Sequence, residues 1–263
     1  MIFDKIYFDE QDKDAYLEIY IADKISDYTR SAVLVIPGGG YGGVCKEREG
    51  EPIGMAFMAH GYNAFVLNYS VKKKPFPSHL IQASKAMKHI RDNAEKYGID
   101  PKKVFTVGFS AGGHLAASLG TMWDKKEIYD EINMPYGYNK PDGMMLIYPV
   151  LSDHYGSFQN LFMKETPTDE EMAISNPDNY VSEDSSPAFI VHTSNDQVVP
   201  VMNAISFANK LAEKKIKFEL HIYPDGPHGV ALGNDITRCG VPKWEDASIA
   251  KWVENAVYWA KKI

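Results

Sequence analysis

The chain has 263 residues, 44% of them hydrophobic and 24% charged, with 35 acidic against 28 basic side chains and a net charge of −7. That size and balance suit one large α/β domain over residues 1–263 that buries its own core, and exclude a disordered or low-complexity chain. The negative charge argues against nucleic acid or an anionic membrane as partner, and no apolar run approaches the roughly 20 residues of a membrane span.

Residues 1–30 alternate in polarity. Ala15, Leu17, Ile19 and Ile21 share one face and Tyr16, Glu18 and Tyr20 the other, which predicts an antiparallel hairpin at a sheet edge. Residues 31–36 are a continuous apolar run, as in a strand buried on both faces, and Pro37-Gly38-Gly39-Gly40 stops it. A short helix over 51–61 and a strand over 62–69 follow. Residues 79–97 carry helical period, with Leu80, Ala83, Met87, Ile90 and Ala94 on one stripe and Gly98 closing it. Pro101 opens the turn into the next strand, which ends on Val104-Phe105-Thr106-Val107.

Further along, residues 111–123 read as a helix, 143–149 as a buried strand, and 152–185 as a polar insertion or small cap. Strands over 188–192 and 218–223 flank a helix over 201–214, and a helix over 244–262 closes the chain. The alternation predicts an α/β fold: a mostly parallel sheet flanked by helices on both faces.

Gly108-Phe109-Ser110-Ala111-Gly112 stands between an apolar strand and a helix. Chance alone puts a G-x-S-x-G string in on the order of one chain in ten of this length, so the strand–turn–helix context carries the weight. A strained turn there exposes the serine oxygen, and small residues two positions away on each side make room for it. A serine hydroxyl is a poor nucleophile and needs a base, usually histidine, oriented by a carboxylate. Asp196, just past the 188–192 strand, is the candidate acid. Asp225 is the runner-up and reads as a turn former, and Asp153 would serve only in a rearranged site. His228, in Gly226-Pro227-His228-Gly229 after the 218–223 strand, is the candidate base. His192 and His221 fall within strands, His60 and His89 lie on or near helices far from the right strand ends, His114 reads as a structural contact and His79, at a helix start, as a capping or solvent-exposed residue. His154 is a candidate cleft residue.

Pro37-Gly38-Gly39-Gly40-Tyr41 follows the first buried strand, where one part of an oxyanion hole belongs. The amide of Gly39 or Gly40 is the candidate donor there, and that of Ala111 the second. With no G-K-[ST] and no complete G-x-G-x-x-G, a nucleotide loop is the weaker reading. Tyr41 either stacks on a sugar or shields the hole. Cys45 and Cys239 have no paired spacing and read as free thiols in a reducing compartment. Met1-Ile2-Phe3-Asp4-Lys5 shows no signal-peptide pattern, so a cytoplasmic location is expected.

Together, Ile36-Pro-Gly-Gly-Gly-Tyr41, Gly108-Phe-Ser-Ala-Gly-Gly-His114, Tyr148-Pro-Val150, Asn195-Asp-Gln-Val-Val-Pro200 and Gly226-Pro-His-Gly229 resemble the α/β-hydrolase esterase/lipase family. More narrowly, they resemble its bacterial branch of acetyl-xylan and related carbohydrate esterases. The likeness runs from about residue 30 to the C-terminus. Pro37 stands where many relatives have histidine, which favours the sugar-esterase branch over the hormone-sensitive-lipase type. The resemblance implies Ser110 as nucleophile, Asp196 as acid, His228 as base, Gly40 with Ala111 as oxyanion donors, and no metal and no cofactor. The function it implies is hydrolysis of short acyl esters, chiefly acetyl, of a small-molecule or oligosaccharide substrate. An amidase, peptidase or aryl formamidase on the same residues is the alternative within enzymes, and a non-catalytic binding protein the alternative outside them. Homo-oligomerisation is left open by the sequence.

Overall fold

The apolar runs become strands of a single sheet. The computed structural model describes residues 1–8, 12–152 and 155–263. Among them are β1 (Ile2–Tyr7), β2 (Tyr16–Ile21), β3 (Arg30–Ile36), β4 (Asn63–Asn68), β5 (Ile99–Phe109), β6 (Gly143–Ile147), β7 (Ala188–Thr193) and β8 (Phe218–Tyr223), in the order β1-β2-β4-β3-β5-β6-β7-β8. The N-terminal hairpin β1–β2 is antiparallel and joins β4 antiparallel, while the pairs from β4 to β8 are parallel. This is the α/β-hydrolase arrangement. The central stretches of strands β3 to β7 are apolar and buried because helices cover both of their faces.

Ten helices connect the strands of the described residues: α1 (Lys46–Glu49), α2 (Glu51–Ala59), α3 (Ser78–Asp92), α4 (Ala94–Tyr97), α5 (Ala111–Thr121), α6 (Lys126–Glu131), α7 (Tyr155–Phe162), α8 (Asp169–Ser175), α9 (Met202–Glu213) and α10 (Trp252–Ala260). One core layer joins Leu34, Phe65 and Leu146 of the sheet to Leu80 of α3, Leu115 of α5 and Phe207 of α9. The other joins Val35, Val107 and Val191 to Phe57 of α2 and Trp252 of α10. Each such buried side chain contributes roughly 1.5–3 kcal/mol. Phe158 and Leu161 of the helix α7 pack into the first layer. No helix of the described residues is long and apolar enough to cross a membrane.

Three boundaries differ from the sequence reading. The 79–97 helix breaks at Asn93 into α3 and α4, and Gly98 closes it at φ 62°. Pro101 lies inside β5 rather than before it. Ile99 pairs with Arg30, the register then shifts, and Val104 pairs with Ala32, so the proline sits in a bulge that needs no ladder N–H from it. The last helix begins at Trp252, not 244. The Asp246 carboxylate accepts from the amides of Ser248 and Ile249 and so holds the preceding residues in turns.

Candidate active site

The connection from β3 runs to β4 on one side, while the later strand β5 lies on the other. Between the carboxyl ends of β3 and β5 is therefore the topological switch point, where open α/β sheets form their crevice. Ile36 and Gly108 pair at that end. The loop 37–40 and the turn at Ser110 consequently face each other.

Ser110 has φ 52° and ψ −118°, a strained conformation for a residue with a side chain, and it directly precedes α5. The turn is tight enough to forbid neighbouring Cβ atoms. One on Gly108 would come 2.7 Å from the Ala116 Cβ, and one on Gly112 would drive into the carbonyls of Ile36 and Pro37. Glycine at both positions is thus a steric requirement of the turn.

Ser110, His228 and Asp196 meet. The serine Oγ lies 2.8 Å from His228 Nε2, and His228 Nδ1 lies 2.7 Å from Asp196 Oδ2. The other Asp196 oxygen accepts from the amides of Val198 and Val199 at 2.8 and 3.0 Å. Burial acts to raise the Asp196 pKa, but the bonds from His228 and the two amides outweigh it and hold the carboxyl below its usual range. An ionised Asp196 fixes the histidine proton on Nδ1 and leaves Nε2 free to accept from the serine. Asp225 accepts from Asn195 Nδ2, and Asn195 in turn accepts from the Gly226 amide, so Asp225 shapes the loop that carries His228.

The loop after β3 is held by its carbonyls. Pro37 O accepts from Tyr69, Gly38 O from the Cys45 amide, Gly39 O from the amides of Gly42 and Gly43, and Gly40 O from Asn160. Among the described residues the amides of Gly39 and Gly40 have no acceptor, and both residues line the crevice beside Ser110. Ala111 opens α5, so its N–H has no partner within the helix. A cleft of about 530 Å³ lies over these groups, walled further by Arg48, Val198 and Trp244.

Tyr41 is not a sugar platform. It is 1% exposed, its hydroxyl is 2.7 Å from His114 Nδ1, and its ring packs against Tyr69 and His79. Tyrosine at φ 56° turns inward, so it supports the loop from behind. His114 also reaches the Ser175 carbonyl at 2.9 Å. His79 is buried rather than exposed, and its Nε2 has no partner among the described residues. Burial lowers the pKa of both histidines to about 4. His154 and Asp153 lie outside the described residues. Cys45 and Cys239 are free, and no group of His, Cys, Asp and Glu among the described residues is arranged to hold a metal ion.

The sequence reading missed Glu49 and Arg48. They stand in the charged run Lys46-Glu47-Arg48-Glu49, which reads as a solvated surface, yet Glu49 is 3% exposed. No periodic signal marks a carboxylate that turns inward from a single helical turn.

Residues 17–211 match the family described as BD-FAE. The chain is 42% identical over 219 residues to endo-1,4-beta-xylanase B of Butyrivibrio fibrisolvens, covering 80% of this chain and 34% of that protein. It is 30% identical over 210 residues to the acetylxylan esterase of Xylanibacter ruminicola, covering 77% of this chain and 41% of that one. The chain thus spans well under half the length of either curated relative. The crystal structure of an acetyl ester-xyloside bifunctional hydrolase from Caldicellulosiruptor lactoaceticus superposes with a TM-score of 0.84 at 33% identity, over 97% of this chain and 90% of that one. With a serine on its strained turn at the switch point and a family match over most of its length, the chain belongs to the BD-FAE family of α/β-hydrolase esterases.

Proposed function

We propose that the protein is a serine esterase that removes short acyl groups, chiefly acetyl, from carbohydrates such as xylo-oligosaccharides. The observation that carries this reading is the unbroken chain of contacts from Asp196 through His228 to Ser110, at 2.7 and 2.8 Å, beside loop amides with no other acceptor. Ser110 Oγ attacks the ester carbonyl as His228 Nε2 takes its proton. Asp196 stabilises the resulting imidazolium. The carbonyl oxygen, now negative, receives N–H bonds from Ala111 and from Gly40, with Gly39 beside it. Each such donor contributes roughly 3–4 kcal/mol in studied enzymes. Collapse breaks the bond to the sugar oxygen, which takes the proton from His228 and leaves as the alcohol. Water, deprotonated by His228, then attacks the acyl-serine, and the carboxylic acid departs with Ser110 restored.

The substrate class draws on the relatives. One is named acetylxylan esterase, another acetyl ester-xyloside hydrolase. The segment 152–185 serves as a small cap in this reading: Ser157 lines the cleft and Asn160 donates to the Gly40 carbonyl at 2.9 Å. The test is incubation with defined acetylated xylo-oligosaccharides, read by mass spectrometry, beside p-nitrophenyl acetate, peptide and formanilide substrates. Loss of acetyl mass units supports the reading. Turnover of the amides alone, or failure of a fluorophosphonate to label Ser110, refutes it.

A further inference from the structure

Glu49 is a carboxylate removed from water with no lysine or arginine paired to it among the described residues. A buried charge needs strong hydrogen bonds. Glu49 has two, and they lead to opposite walls of the cleft. Its Oε2 accepts from the Gly38 amide at 2.8 Å, in the loop that carries Gly39 and Gly40. Its Oε1 accepts from the Tyr148 hydroxyl, also at 2.8 Å. That hydroxyl in turn accepts from the Ala231 amide at 3.0 Å, in the loop that carries His228. The Tyr148 ring stands edge-on to the His228 imidazole with centroids 4.9 Å apart, and Tyr148 holds this pose at φ 38°.

The neighbouring residue repeats the pattern. Arg48 Nη1 donates to the Gly229 carbonyl at 2.6 Å, and its guanidinium lies 4.0 Å over the Trp244 ring. Trp244 Nε1 donates to the His228 carbonyl at 3.2 Å. The helix start is tied to the glycine loop as well, since the Cys45 amide donates to the Gly38 carbonyl at 2.9 Å. The one-turn helix α1 therefore touches the main chain on both sides of the crevice.

We propose that Glu49, acting through Tyr148, is a positioning residue that fixes the spacing between the glycine loop and the histidine loop. This rests on the reading of Ser110 and His228 as nucleophile and base. Oxyanion donors and a general base act on the same tetrahedral centre, and a misplacement of about 1 Å can lower the rate on the order of 10²-fold. Space-filling alone would be met by a leucine. A carboxylate with each oxygen on a different loop sets a distance.

The test uses Glu49→Gln, Tyr148→Phe and the double variant, with two readouts. The first is kcat and KM on p-nitrophenyl acetate, normalised to Ser110 titrated by a fluorophosphonate. The second is amide hydrogen exchange at 38–40 and 229–231. Each single variant should lose at least tenfold in kcat per titrated site with KM within threefold, and the double should lose no more than the worse single. Either substitution should speed exchange in both loops. Should Glu49→Gln not fold, Tyr148→Phe, which removes a single hydroxyl, decides alone. Unchanged kcat per site, losses that multiply in the double variant, or faster exchange in only one of the two loops overturns the inference. Coupled exchange in an unlabelled, inactive wild type supports the spacing role and refutes the esterase reading instead.

Discussion

His228 Nε2 lies 2.8 Å from Ser110 Oγ although 118 residues separate them. Ser110 follows β5 and His228 follows β8, three strands away in the sheet. At about 4.8 Å per strand that is a gap of roughly 14 Å. The loop that carries His228 must fold back over the ends of β7 and β6 to close it. Gly226 at φ 145° and Gly229 at φ 84° give the backbone the turns it needs on either side of the histidine.

Ser110→Ala removes the hydroxyl and leaves the turn. We expect kcat on p-nitrophenyl acetate to fall by at least ~10³ with an unchanged circular dichroism spectrum. Activity within tenfold of wild type would exclude Ser110 as the nucleophile.

Asp196→Asn keeps an oxygen for the Val198 and Val199 amides but can turn an NH₂ toward His228 Nδ1. The imidazole then carries its proton on Nε2, facing Ser110, where it cannot accept. A drop in kcat of order 10⁴ is expected, as for the same change in other enzymes with this relay, with stability nearly retained. A mild effect in steady-state assays would mean that the carboxylate does not set the tautomer.

Gly112→Ala should prevent soluble expression or lower the melting temperature severely, because the added methyl overlaps the carbonyls of Ile36 and Pro37. Gly43→Ala is the matched control, with nothing within 4 Å of the new Cβ. Thermal melts of the two variants that coincide would contradict the packing at the turn.

Stability should fall as acid is added, in part through His114. Its folded pKa is lowered to about 4, while an unfolded histidine titrates near 6.5. As pH drops, the unfolded chain takes the proton first. Stability is thus complete above about pH 6.5 and is lost toward pH 4, by about 3 kcal/mol from this site. His79 acts in the same direction. The slope of melting temperature against pH between 6.5 and 4 should be shallower in His114→Gln than in wild type, and equal slopes would rule this contribution out.

Much of the architecture is legible from local pattern. The apolar runs of β3, β5, β6 and β7 announce strands covered on both faces, and the G-x-S-x-G turn can be placed because its glycines answer a steric demand within five residues. The strand-end positions of Asp196 and His228 are legible because each loop follows a strand run, 188–192 and 218–223. The fates of Tyr41 and His79 are not: Tyr41 reads as a sugar platform or a shield of the hole and His79 as a capping or exposed residue, and both are buried by packing between α3, α5 and the glycine loop. Helix ends shift where a side chain such as Asp246 competes for backbone amides.

By itself the sequence determined which segments are strands, which turn is strained, and which three residues stand just past the carboxyl ends of β5, β7 and β8, since these follow from steric and apolar periodicity along a few neighbouring positions. Only the tertiary structure decided that Glu49 turns inward, that Tyr148 carries its hydrogen bond to the histidine loop, and that Tyr41 serves as a prop. Such partners come from β3, β6 and β8 loops far apart in the chain, and the hydrogen bonds that stabilise a buried carboxylate exist only once the sheet has brought those loops to one edge.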